Sequence, residues 1–116
     1  QGGLVTTKAV IAQRPDLVTR AARAVLRAIR LIRSDRKFGV EFIKGPYVDI
    51  EGDRNRFAER VYDAMRPLYL ESGGVDEELQ REMIADAAER IKPAQPVTPE
   101  RVFDLSFVRK VGEALR

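Results

Sequence analysis

Residues 15–34 read Pro-Asp-Leu-Val-Thr-Arg-Ala-Ala-Arg-Ala-Val-Leu-Arg-Ala-Ile-Arg-Leu-Ile-Arg-Ser, and this stretch decides the fold class. Pro15 suits the first position of a helix, where its missing N–H costs nothing. Asp16 in the first turn complements the positive end of the helix dipole. Leu17, Val18, Ala21, Ala22, Val25, Ala28, Ile29 and Ile32 recur at helical spacing and predict an amphipathic helix over 15–34.

Toward the N-terminus, Ala9 to Ala12 is apolar and predicts one or two helical turns over 8–13, ended by the approach to Pro15. Gly3 to Thr7 has strand-like composition, but five residues cannot build a sheet alone. Gln1 and Gly2 read as a protease-site scar, leaving 3–116 as a single region.

In the C-terminal direction, residues 36–44 predict a shorter helix weakened by Gly39 and closed by Gly45-Pro46. Residues 47–52 read as a loop. Asp53 is placed to cap a helix whose stripe is Phe57, Ala58, Val61, Tyr62, Met65, Leu68 and Tyr69, with Pro67 kinking or ending it. Gly73-Gly74 is a stop. Asp76 is placed to cap a helix over 77–91 with Leu79, Met83, Ile84, Ala87 and Ile91 inward. Pro93, Pro96 and Pro99 stiffen the connector, with Thr98-Pro99 reading as a cap and first-turn proline. Asp104 is placed to cap a last short helix carrying Phe107, Val108, Val111 and Leu115. The expected fold is mainly α, four to five helices with at most one short N-terminal strand.

The chain has 116 residues, with no cysteine, histidine or tryptophan, which excludes disulfides, zinc–thiolate sites, thiol catalysis and a Ser-His-Asp site. Apolar residues at 44% are enough for one core. No apolar run approaches the roughly 20 residues of a membrane span. The glycines fit neither a P-loop nor a dinucleotide fingerprint. Asp76, Glu77 and Glu78 are consecutive and compensate a helix dipole more simply than they converge on a cation. Tyr47, Tyr62 and Tyr69 read as core or interface residues, and Met65 and Met83 as core. The reading is of no enzyme, no cofactor and no metal.

Charge is segregated although its total is only +3. Segment 14–37 holds eight basic residues against two acidic ones, net +6, and segment 71–90 holds seven acidic against two basic, net −5. Arg20, Arg23, Arg27 and Arg30 line one helix face, the single candidate anion or partner surface. A solvated or self-neutralised face is the simpler reading. No aromatic residues interleave the arginines to stack on bases, so nucleic acid is not the expected partner.

The segment Leu4-Val5-Thr6-Thr7-Lys8-Ala9-Val10-Ile11-Ala12-Gln13-Arg14-Pro15-Asp16-Leu17-Val18 resembles one found in periplasmic solute-binding proteins of ABC importers, the nitrate/sulfonate/taurine and thiamine-precursor branch. Ala24 to Ile32 resembles the body of that family's long helix. Tyr62-Asp63-Ala64 with Pro67-Leu68-Tyr69, then Gly73-Gly74-Val75-Asp76, resembles its kinked helix and turn. Val102-Phe103-Asp104-Leu105-Ser106-Phe107-Val108 resembles its terminal Asp-x-Ser-Phe segment. The order and spacing of these pieces carry the resemblance, while each alone is a capping or packing signal.

The resemblance implies the C-terminal third or so of a two-lobed α/β protein, periplasmic or otherwise extracytoplasmic, that delivers a small solute to a membrane permease. Implied partners are the solute, the permease and the N-terminal lobes, with the chain alone pairing as a homodimer. No residue matches a family ligand motif, so none is carried over. The arginine-rich face departs from the family's usual mixture of signs. The alternative reading is an independent basic helical module that binds nucleic acid or anionic membrane through Arg20, Arg23, Arg27 and Arg30. An enzyme of the thiamine-pyrimidine branch ranks last, because it would need histidine and cysteine.

Overall fold

A computed structural model describes residues 3–45 and 54–115. The expectations for Gln1, Gly2, Tyr47, the 47–52 loop and the Asp53 cap lie outside the described residues. Among the described residues, seven α-helices occur in the order α1 (Lys8–Gln13), α2 (Pro15–Ser34), α3 (Arg36–Ile43), α4 (Arg54–Met65), α5 (Glu77–Ile91), α6 (Pro99–Val102) and α7 (Ser106–Ala114). A 3₁₀ turn over Arg66–Leu68 follows α4. The helical class agrees with the sequence reading, but the count exceeds the expected four to five. The excess comes from short segments set off by local breaks. Arg14, at φ −133° and ψ 56°, separates α1 from α2, because Pro15 drives the residue before it out of the helical region. Asp35 separates α2 from α3 and accepts the Phe38 N–H with its carboxylate. A single turn, α6, precedes α7 as a separate helix.

The short strand is not formed. Gly3 to Thr7 lies outside any regular element among the described residues, and Val5 is 94% exposed. An extended segment becomes a strand only against another backbone, and none is offered to it here. Thr7 instead ends the segment by accepting the Val10 N–H at the start of α1.

Capping follows the chemistry expected at the other breaks. Asp76 accepts the Leu79 N–H at the head of α5, and Pro67 ends α4 by forcing the 3₁₀ turn. Asp104 acts one residue earlier than a true cap: α7 begins at Ser106, whose N–H and hydroxyl both donate to the Asp104 carboxylate. That hydroxyl bond, more than the backbone one, holds the Asp104 carboxyl below its usual range. Thr98 precedes α6 in an extended conformation but makes no side-chain cap bond.

Among the described residues, two thin clusters make the core. The first joins Ala22 and Leu26 of α2 to Val111 of α7, with Phe107, Val108 and Leu115 packed around them. The second joins Val40 of α3 to Ala58 and Tyr62 of α4, with Ile32 and Ile43 alongside. The face of α2 that is buried is therefore centred on Leu26, while Leu17, Val25 and Ala28, expected inward, are exposed. The turn before α5 closes on the first cluster through Gly73, whose φ of +66° favours glycine and whose missing side chain leaves room for the Leu26 methyl.

The chain is open for its size. Its radius of gyration is 16.9 Å, against about 13 Å for a compact domain of this length. Its accessible surface is 9186 Å², against about 6,400 Å² expected for a globular protein of this mass. Large apolar side chains are among the exposed ones: Leu68 and Ile91 are about three-quarters exposed, and Leu4, Leu70 and Val102 more than half.

Candidate functional site

The four arginines singled out by sequence do not act as one face. Arg20 reaches back one turn to Asp16 at 3.5 Å, and Arg14 meets the same carboxylate at 3.4 Å. The Arg14 hydrogen bond is the chief reason the Asp16 carboxyl sits below its usual range. Arg30 turns inward, donating to the Leu115 carbonyl at 3.1 Å and the Gly112 carbonyl at 3.5 Å. Those oxygens belong to the last turn of α7, where the helix leaves carbonyls without internal partners. Arg30 is thus a cap supplied from another helix. Only Arg23, half-buried, and Arg27, exposed, have no hydrogen-bond or ion-pair partner among the described residues.

Replacing Arg30 with methionine keeps most of the apolar stem and removes the two donors. The expected cost is about 1–2 kcal/mol, since the α7 carbonyls lose a charged donor at a half-buried site. Arg27→Met on the exposed face is expected to stay within about 0.5 kcal/mol. Urea denaturation of both variants checks the difference, and equal costs would show that Arg30 is as dispensable as Arg27.

Two arginines outside the predicted set do more to hold the chain together. Arg33 donates to the carbonyls of Arg66 and Tyr69 at 3.1 and 2.7 Å and pairs with Glu71 at 3.2 Å, while Arg66 returns a bond to the Arg33 carbonyl at 2.9 Å. The segment after α4 is therefore pinned to the end of α2. Arg36 clasps the Asp63 carboxylate with Nε and Nη2 at 3.2 and 3.1 Å and reaches Glu59 with Nη1 at 3.2 Å, bridging α3 to α4. The Asp63 bond raises the Arg36 pKa further above its ordinary value. Helical spacing identified neither, because each partner lies about 30 residues away.

On α5, Glu77 pairs with Arg81 and Asp86 with Arg90, one turn apart. Among the described residues, no three acidic, histidine or cysteine side chains gather as a metal site. Every resolved pKa shift strengthens a charged form: Asp16, Glu100 and Asp104 are lowered, Arg36 and Arg81 raised. That is the behaviour of surface pairs and caps, and it is opposite to the raised carboxyl of a general acid.

An apolar groove of about 380 Å³ lies between α5 and α6. Met83, Ile84, Ala87 and Ile91 form one wall, Val102 and Phe103 the other. The inward stripe expected on α5 is thus present, but it faces a gap: Leu79, Met83, Ile84 and Ala87 are half-buried and Ile91 is 75% exposed. A second concavity, between α3 and α4, is lined by Arg36, Lys37, Lys44, Glu41 and Glu59 around Val40, so its charges largely cancel.

No helix among the described residues is long and apolar enough to cross a membrane. Comparison with protein-family models, with curated proteins and with solved structures returned no match.

Proposed function

We propose that this chain is part of the extracytoplasmic solute-binding component of an ABC import system, which captures a small anionic or thiamine-precursor-like solute for a membrane permease. The observation that carries this reading is the order of elements together with an incomplete core. Gly3 to Thr7, outside any regular element, leads through the short helix α1 into the long helix α2. A helix ended by Pro67, a Gly-Gly turn, an Asp-capped helix and an Asp-x-Ser-Phe start to the last helix then follow, in the order that the sequence resemblance implies. A chain that covers other lobes would be expected to leave apolar helix faces open in this way, and about 2,800 Å² of excess surface accords with that.

The basic-module alternative has less support. Arg20 and Arg30 are engaged within the chain, so only Arg23 and Arg27 remain without partners among the described residues.

The test uses the complete product of the reading frame that contains this chain. Its melting temperature is measured with nitrate, taurine, an alkylsulfonate and a thiamine-precursor pyrimidine. One solute is expected to raise it by several degrees, since ligand at 100 times Kd stabilises by about 2.7 kcal/mol. The 116-residue chain is expected not to respond. Equal solute affinity in the chain alone, or no response of the complete product to any of them, overturns the proposal. Duplex DNA binding by the chain with a log–log salt slope near −3.6, about −0.9 for each of four contacts, would instead select the basic module.

A further inference from the structure

We propose that residues 75–103, the stretch that carries α5 and α6, form an arm that opens and unfolds as a unit while the rest of the chain stays folded. No residue of this stretch belongs to either core cluster. None of the 15 residues of α5 is buried, and Ile91 at its end is 75% exposed. In α6 only Pro99 is buried. α5 packs against that single turn and against no other helix to a comparable extent. A helix of about 12–15 residues is marginal in water when nothing packs on it. By contrast, α2, α3, α4 and α7 each place a residue in one of the two clusters.

The polar bonds of the arm are also its own. Asp76 caps α5, Gln80 donates to the Val75 carbonyl, and Glu77–Arg81 and Asp86–Arg90 pair one turn apart. The Arg81 charge helps to hold the Glu100 carboxyl of α6 below its usual range. Among the described residues, no hydrogen bond or ion pair runs from 75–103 to α1, α2, α3, α4 or α7. The preceding residues differ in this respect, because Arg33 of α2 holds the Arg66 and Tyr69 carbonyls and the Glu71 carboxylate.

The base of the arm is closed. A carbon added at Gly73 would stand 3.1 Å from a Leu26 methyl and 3.7 Å from Val108, and one at Gly74 would stand 4.0 Å from Leu105. The arm therefore leaves and rejoins the body at neighbouring points beside the first cluster. Its two ends stay together when it unfolds, so its opening does not pull α7 from α2. Few buried apolar contacts and a self-contained set of bonds are the marks of a segment that opens below the global unfolding free energy. This inference is independent of the transporter reading, because opening is measured on the 116-residue chain without solute.

Amide hydrogen exchange of the full chain, followed by NMR at increasing urea, tests it. Amides of residues 81–91 in α5 are expected to be at least about thirtyfold less protected than those of residues 22–30 in α2. Their exchange is also expected to rise less steeply with urea, because opening the arm exposes less surface than global unfolding. Tyr62→Leu weakens the second cluster, which the arm does not touch. It is expected to lower protection in α2 about thirtyfold and to leave α5 unchanged. Equal protection of α5 and α2 in the wild type overturns the proposal, whatever the variant shows. So does a fall in α5 protection that keeps step with α2 in Tyr62→Leu, which would make the chain one cooperative unit.

Discussion

Leu26→Ala is expected to cost about 3 kcal/mol, within the range of buried leucine truncations. That corresponds to a fall of about 12 °C in melting temperature for a domain of this size. Leu26 is 1% exposed and is the largest of the fully buried side chains in the first cluster. Its methyls sit where three parts of the chain converge: α2 itself, the last helix through Val111 and Gly112, and the turn at Gly73. Losing it therefore loosens the register of α7 and of the turn that leads to α5, as well as opening a cavity. A loss of this size is a large share of the roughly 5–15 kcal/mol by which domains are stable. Leu31→Ala, on the exposed stripe of the same helix at 43% exposure, is expected to stay within about 0.5 kcal/mol. Urea denaturation of the two variants decides the point, and a Leu26→Ala cost below about 1 kcal/mol would mean that the first cluster is not the organising core.

The contrast between Leu26 and Leu31 also shows how far sequence reading reaches here. Periodicity over Pro15–Ser34 identifies a helix, because a 3.6-residue repeat survives without any knowledge of neighbours. It does not identify which side is covered. Apolar residues surround most of α2, so the choice of Ala22 and Leu26 over Leu17, Val25 and Ala28 is made by α7, more than 70 residues downstream. Caps are among the more legible features, since Asp76 and Asp104 act on backbone groups two or three residues away, although Asp35, which caps α3 in the same way, is not singled out by the sequence pattern. Arginine roles are the least legible. Arg20, Arg23, Arg27 and Arg30 share one helix and one spacing, yet Arg30 caps α7 while Arg20 answers Asp16, because only the former lies beside the end of another helix. The strand over Gly3 to Thr7 fails for a related reason: its composition states a preference that only a neighbouring backbone can satisfy.

Gly39→Ala is expected to destabilise the chain by about 2 kcal/mol, although alanine is the better helix former by about 1 kcal/mol. Sequence alone treats Gly39 as a weak point in α3; its environment explains why it is glycine. A side-chain carbon there would lie 2.2 Å from Cε2 and 2.6 Å from Cδ2 of Tyr62. Removing the side chain is what lets α3 and α4 approach closely enough to bury Val40 and Ala58. The ring has little freedom to retreat. Its hydroxyl donates to the Ile32 carbonyl at 2.5 Å, and the Arg36 guanidinium, held by Asp63, stands 5.9 Å from its centre. Added volume must therefore part the two helices or break the hydroxyl bond. Tyr62→Leu removes both the ring and the bond and is expected to cost about 2 kcal/mol by itself. In that background, however, Gly39→Ala should become neutral or slightly stabilising, since only the propensity gain remains. The two changes would then couple by about 2 kcal/mol, within the range seen for contacting residues. Urea midpoints of the wild type, both single variants and the double variant close the cycle. An equal cost of Gly39→Ala in both backgrounds would show that backbone conformation, and not the Tyr62 ring, requires glycine at this crossing.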